Sequence, residues 1–166
     1  MFAITFVHVA LSLVGIATGL VVFYGLLFQQ RYNGWTAIFL GTTLATNLTA
    51  FLFPFQKFLP SHALAIISLP VLGAAYYARY GKELRGYWRQ TYVVTALLAL
   101  YVNVFVLVVQ LFLKVPALKA LAPTQTELPF AASQLVVLAL FVVFGAVATV
   151  RFQIHPRPAL AEVPAS

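Results

Sequence analysis

The chain contains five long apolar stretches with no Asp, Glu, Lys or Arg in their interiors. They cover residues 3–28, 35–55, 62–78, 91–113 and 131–150. A helix that crosses the hydrocarbon of a bilayer needs about 20 mostly apolar residues, within a range of about 17 to 25. Each stretch therefore has a length suited to a membrane-spanning helix.

The overall composition supports the same interpretation. Hydrophobic residues make up 63% of the 166-residue chain and charged residues only 8%, whereas soluble domains carry roughly 25% charged residues. A chain in hydrocarbon spans it as helices or as a closed barrel, and the alternating ten-residue pattern of barrel strands is missing here. The sequence predicts an all-α polytopic bundle of five transmembrane helices within residues 1–152, followed by a mobile cytoplasmic tail over residues 153–166.

The distribution of the ten basic residues predicts the orientation. Lys and Arg in short loops stay on the cytoplasmic side of a membrane. An outer N-terminus and an inner C-terminus place seven of them inside and only Lys57, Lys114 and Lys119 outside. The inner set is Arg31, Arg79, Lys82, Arg85, Arg89, Arg151 and Arg157. The aromatic residues agree, because both tryptophans and most tyrosines lie near the ends assigned to the inner face, where such rings favour the headgroup level.

The basic segment over residues 81–90 also predicts a partner. Its cations Lys82, Arg85 and Arg89 are expected to contact anionic lipid headgroups. Nucleic acid is not an expected partner, because no basic face of a folded soluble domain exists to bind it. The first apolar stretch is interpreted as a retained span and not as a signal peptide, since it lacks a basic leader and exceeds the usual apolar core of about 7 to 15 residues.

Small and polar residues predict which helix faces point into the bundle. In the first helix, His8, Ser12, Gly15 and Gly19 fall within one narrow sector, and the two glycines have the GxxxG spacing that lets another helix approach closely. The other polar stripes are Thr36, Thr43 and Asn47 in the second helix, and Tyr92, Asn103 and Gln110 in the fourth.

Five of the polar residues are candidate ligand-binding positions: His8, His62, Asn47, Asn103 and Gln110. An ionisable side chain inside a span is by default a functional hypothesis, and two histidines are the kind of ligands that hold a b-type haem or a metal ion. A bound quinone is a further possibility. The alternative interpretations are structural: a neutral His8 hydrogen-bonded within the bundle, an interhelical bond between Asn47 and Asn103, and an interfacial His62.

The absent residues bear on the function class. No charged residue lies inside a span, which disfavours an ion-coupled transporter, and no nucleophile, base and acid occur in a convincing set, which disfavours an enzyme. The chain has no cysteine, so disulfides and thiolate chemistry are excluded. Three hypotheses remain. The first is a non-enzymatic accessory or assembly partner within the bilayer, which associates with another membrane protein or forms a homo-oligomer. The second is a binder of a cofactor or small ligand, and the third is a facilitator of passage of a small neutral solute.

One segment resembles known sequences. The run Asn103-Val104-Phe105-Val106-Leu107-Val108-Val109-Gln110, with the continuation Lys114-Val115-Pro116-Ala117-Leu118 to Pro123-Thr124-Gln125, is similar to small bacterial membrane proteins to which no activity is attached. The resemblance covers about a quarter of the chain, residues 92–130. It implies a multi-pass protein of the bacterial inner membrane and implies no catalytic or binding residue.

Overall fold

A computed structural model describes residues 2–52 and 60–152 of the chain, and the side chains of residues 3–52 and 63–152. Over this part the protein is helical, with no strand, which confirms the all-helical prediction. The helices are α1 (Phe2–Leu27), α2 (Asn33–Ala50), α3 (Pro60–Tyr76), α4 (Tyr87–Lys114), α5 (Pro116–Leu121) and α6 (Leu128–Arg151). A π-helical segment, Tyr77–Gly81, continues α3.

Four stretches within the described residues are long and apolar enough to cross a membrane: Ala3–Leu27, Ala63–Gly81, Tyr87–Lys114 and Leu128–Arg151. The prediction of a membrane protein therefore stands on four helices. The predicted span 35–55 corresponds to α2, which is 18 residues long and contains five threonines and two asparagines. Its last predicted residues, together with the tail over residues 153–166, lie outside the described residues.

The long helices alternate in direction, and α4 lies at the centre. It packs against α1, α3 and α6 and also touches α2 and α5. The π-helical end of α3 meets the start of α2. This contact is shown by Arg79, whose Nη2 donates a hydrogen bond to Oδ1 of Asn33 over 2.8 Å. The start of α6 meets the last turns of α4, where the rings of Phe112 and Phe130 lie edge to face with centroids 5.4 Å apart. Each helix thus runs antiparallel to the one it follows.

Six described cations collect at one end of this bundle, which we call the basic end: Arg31, Arg79, Lys82, Arg85, Arg89 and Arg151. Here α1, α3 and α6 end and α2 and α4 begin. The large apolar core lies in the same half of the bundle. Its fully buried large side chains include Phe39, Leu72, Leu84, Leu100 and Phe152.

The opposite half is packed differently. Among residues 3–14 of α1, 101–114 of α4 and 128–139 of α6, Phe112 alone has a buried side chain. The buried residues of α2 and α3 in this half are small or polar: Thr46, Asn47, Ala50, Ala65 and Ser68. Because burial of large apolar side chains supplies most packing contacts, the helices are held together mainly at the basic end.

Two glycines of α1 set the closest helix approach. A Cβ atom built on Gly19 would lie 2.5 Å from Leu100 Cδ1 and 2.9 Å from the Phe39 ring, and one on Gly15 would lie 3.2 Å from the hydroxyls of Thr42 and Thr43. Contacts below 3.0 Å force a neighbour to move. The absence of a side chain at Gly19 therefore lets α1 lie directly against α2 and α4.

Replacing Gly19 with alanine is expected to destabilise the bundle, since the new methyl group overlaps two buried side chains, at a cost of about 1 to 3 kcal/mol. Gly41 is the matched control, because a Cβ atom there meets nothing within 4 Å. Gly41→Ala is expected to be neutral or to stabilise by up to about 1 kcal/mol through helix propensity. Unfolding in mixed detergent micelles, followed by circular dichroism, measures both; equal stabilities of the two variants would contradict the close approach.

Candidate functional site

The predicted polar stripes of α2 and α4 converge on Thr43. Its hydroxyl accepts a hydrogen bond from Asn103 Nδ2 over 3.3 Å, and its carbonyl accepts one from Asn47 Nδ2 over 2.8 Å. Asn47 is buried and Asn103 is half-buried. The interhelical bond between α2 and α4 is therefore made through Thr43, one turn before Asn47, and the Asn47 amide is bonded to its own helix.

His8 lies on the α1–α2 interface, near the opposite end of the bundle. Its Nδ1 lies 2.9 Å from the hydroxyl of Thr49, and that hydroxyl also donates to the Thr46 carbonyl over 3.0 Å. Ser12, one turn further along α1, donates to the Val9 carbonyl of its own helix over 2.9 Å. The half-buried imidazole is thus held by a threonine of the neighbouring helix.

The remaining predicted ligand positions do not join this group. The side chain of His62 lies outside the described residues, and Gln110 is exposed. Within the described residues no group of three or more His, Cys, Asp or Glu side chains could hold a metal ion. The structure thus brings Asn47 and Asn103 together around Thr43 and places His8 at a separate contact with Thr49.

The predicted headgroup segment forms a tight turn at the basic end. Glu83, Leu84 and Gly86 all have positive φ values, of 50°, 61° and 55°. A residue other than glycine rarely adopts such a φ. Leu84 is held there by its side chain, which is only 1% exposed and belongs to the large apolar core. This anchor fixes the segment against the ends of the helices.

The three predicted headgroup cations differ in their surroundings. Lys82 Nζ lies over the rings of Tyr77 and Trp88, 5.4 and 5.9 Å from their centroids. Arg85 is mostly exposed and pairs with Glu83 across 2.7 Å. Arg89 is half-buried, and its buried Nε has no hydrogen-bond partner. Lys82 and Arg89 therefore carry the uncompensated charge of this turn.

A small cavity lies at the basic end, lined by residues of α1, the α1–α2 connection, α2, the π-helical segment and α4 and by Phe152 after α6. Its volume is about 10 Å³, which is room for about one water molecule. Arg79 and Tyr92 line it, and the buried Arg79 Nε and Tyr92 hydroxyl both lack a hydrogen-bond partner of good geometry. The full lining is Val22, Leu26, Gln30, Arg31, Tyr32, Thr36, Arg79, Tyr92 and Phe152.

The longest described loop closes the opposite end. The Glu127 carboxylate accepts hydrogen bonds from the Thr124 amide and hydroxyl and from the Thr126 amide, at 2.9 to 3.2 Å. Desolvation raises the pKa of the Glu127 carboxyl, but these hydrogen bonds outweigh it and hold that pKa below its usual value. Gln125 Nε2 donates to the Val109 carbonyl over 2.9 Å, which ties the loop to α4.

Sequence reasoning missed the contacts that the cavity depends on. Arg79 was assigned to the inner surface by its charge alone, and its bond to Asn33 joins residues 46 positions apart. The stripe of Tyr92 with Asn103 did indicate that Tyr92 faces inward. No periodic pattern relates Arg31, in a connection between helices, to either residue.

Removing the hydroxyl of Thr43 is expected to weaken the bundle, because Asn103 then loses its partner on α2. Thr43→Val keeps the shape of the side chain, and an interhelical hydrogen bond in a membrane is worth about 0.6 to 2 kcal/mol. Thr42→Val is the control, since the Thr42 hydroxyl donates only within its own helix, to Ile38. A double-mutant cycle of Thr43→Val with Asn103→Ala, measured by unfolding in micelles, is expected to give a coupling energy in that range; zero coupling would contradict the bond.

Comparison with known proteins adds no relative: no family model, no curated protein and no solved structure matches the chain.

Proposed function

We propose that the chain is a non-enzymatic membrane protein that acts as an assembly partner of another membrane-spanning protein, with α6 as the helix that receives the partner. The observation behind this proposal is the packing of α6. Of its 24 residues only Ala148 is buried. A spanning helix that is complete within its own bundle buries a stripe along its length, as α2 does.

The outward surface of α6 suits a second helix. Ala132, Ala139 and Ala146 are exposed and one heptad apart, and small residues at such spacings let helices approach closely in a membrane. Large exposed side chains flank them, among them Leu135 and Val142, which are 64% and 60% exposed. Lipid tails are as apolar as these side chains, so no hydrophobic effect drives helices together in hydrocarbon. Close packing of this kind is what favours their association there.

The polar interior is consistent with a packing role. His8, Asn47 and Asn103 each bond to a threonine of α2. Gln134 of α6 donates through Nε2 to the Phe105 carbonyl of α4 over 3.2 Å. The bonds of His8, Asn103 and Gln134 join different helices of this chain, whereas that of Asn47 lies within α2; interhelical hydrogen bonds of this kind specify packing.

Photo-crosslinking in native membranes tests the assembly proposal. A photoreactive phenylalanine analogue at position 139 is expected to give a discrete adduct with a second polypeptide, whose mass distinguishes another protein from a second copy of the chain. The control position is 94, because Val94 is also exposed, at 53%, but lies on α4 in the half with the large core. Lipid adducts alone at both positions would exclude α6 as an interface.

We also propose that five helices span the membrane, with the basic end in the cytosol. Contacts between α1 and α2 run along both helices, from His8 with Thr49, past Gly15 with Thr43, to Gly25 with Tyr32. The two helices therefore lie at the same depth, and the 18 residues of α2 extend about 27 Å, close to the hydrocarbon thickness of about 30 Å. Among the described residues, the basic end has six cations and the other end has two, Lys114 and Lys119. This asymmetry supports a cytoplasmic location of the basic end, and we propose a bacterial inner membrane as the setting.

The five-span topology predicts opposite labelling of two introduced cysteines. The chain has no native cysteine, so Arg85→Cys and Ala120→Cys each carry a single thiol. In intact cells an impermeant maleimide is expected to label the thiol at position 120 and to label that at position 85 only after the membrane is opened. Labelling of both from one side would contradict the topology.

A further inference from the structure

We propose that the cavity at the basic end is a binding site for a phosphate group, built from Arg79, Arg31 and the hydroxyl of Tyr92. The proposal is independent of α6 and of any protein partner. It concerns a different place from the exposed turn over residues 81–90, where the headgroup contacts of Lys82, Arg85 and Arg89 were predicted.

Arg79 is held in one orientation by three neighbours. Its Nη2 donates to Asn33 Oδ1 over 2.8 Å, and its guanidinium carbon lies 5.2 Å from the centroid of the Tyr92 ring and 5.7 Å from that of Tyr80. Its Nε is buried and unpaired. A guanidinium so fixed presents its free N–H groups in a defined fork, which is the geometry that recognises phosphate oxygens.

The hydroxyl of Tyr92 is the second observation. Tyr92 lines the cavity and is only 1% exposed, and its buried hydroxyl lies near Thr36 and Arg79 without a hydrogen bond of good geometry to either. The Thr36 hydroxyl is engaged with the Tyr32 carbonyl over 2.9 Å. A buried hydroxyl without a partner costs free energy, and an acceptor placed in the cavity would remove that cost.

The charge around the cavity is uncompensated. Arg31 and Arg79 both line it, and the ion pair that the described residues form at the basic end, Arg85 with Glu83, involves neither of them. The chain has no aspartate and only three glutamates. An anion is therefore the ligand that the two guanidinium groups favour.

Size and position identify the anion as a phosphate group. The cavity admits about one oxygen atom, so a single phosphate oxygen can reach Tyr92 and Arg79 while the rest of the group stays at the mouth beside Arg31. The cavity lies at the ends of spanning helices, with Tyr32 in its lining and Tyr80 against the Arg79 guanidinium, at the level where aromatic rings meet lipid headgroups. The phosphate of an anionic phospholipid and free phosphate share this chemistry.

Native mass spectrometry of the full chain in neutral detergent tests the site with three probes: dioleoyl phosphatidylglycerol, dioleoylglycerol as the matched lipid without phosphate, and inorganic phosphate. The variants are Tyr92→Phe, which removes only the hydroxyl, and Arg79→Gln. The control is Arg151→Gln, which removes a charge of the same end from an exposed residue that does not line the cavity and is not among the predicted headgroup cations. Circular dichroism melting verifies that each variant is folded.

Phosphatidylglycerol is expected to bind the parent and Arg151→Gln with equal affinity. It is expected to bind Tyr92→Phe and Arg79→Gln about tenfold more weakly, which is the fold-change that corresponds to about 1.4 kcal/mol for a hydrogen bond to a charged group. Competition by inorganic phosphate would support the site and identify free phosphate as a ligand; binding of the phospholipid alone would support it and identify the headgroup. Unchanged binding by Tyr92→Phe, an equal loss in Arg151→Gln, or equal binding of dioleoylglycerol would each overturn the proposal. If Arg79→Gln does not fold, the Tyr92→Phe result alone decides.

Discussion

Hydrocarbon offers no hydrogen bonds, and the arrangement of this protein follows from that constraint. Each backbone amide must find a partner inside its own segment, which makes the spans helical. The hydroxyl groups obey the same rule: Thr18, Thr42, Thr46 and Thr95 each donate to a carbonyl one turn earlier in their own helix. A side chain whose hydroxyl is satisfied in this way can face apolar neighbours. Thr43 is the exception that receives Asn103, so the link from α2 to the central helix lies there.

The same constraint explains which features could be predicted from sequence. Unbroken apolar runs indicate helices directly, and α1 begins and ends within one residue of its predicted bounds. Helix α2 is harder, because its threonines and asparagines lower its hydropathy while their hydrogen bonds, made inside the bundle, are invisible in sequence. The partner of Asn103 shows the same difficulty: the stripes predicted that α2 and α4 face each other, but whether Thr43 or Asn47 meets Asn103 depends on the axial offset of the two helices.

Aperiodic segments limited the prediction of the candidate site still more. The turn over residues 81–90 has the composition of an exposed basic loop, yet Leu84 points into the core from a left-handed backbone conformation. That conformation costs energy and is retained because the leucine is completely buried. The turn thereby holds the end of the π-helical segment, and so the backbone that carries Arg79. Sequence periodicity predicts regular helices only. Leu84, the residue that anchors this turn, follows the end of the π-helical segment and therefore belongs to no periodic pattern.

The uneven packing connects these features. The basic end buries Phe39, Leu84 and Phe152 in the large core, and this close packing is what a specific anion site needs to hold a guanidinium and a tyrosine hydroxyl in fixed positions. In the opposite half the buried side chains of α2 and α3 are small or polar, Phe112 is the large buried side chain of α4, and α6 buries none of its own residues. Helices in lipid gain from each close contact, so a second protein has more packing to add there than at the basic end. The proposed phosphate site thus lies in the closely packed half of the bundle, and the half that is less completely packed is where a partner protein would gain most contact.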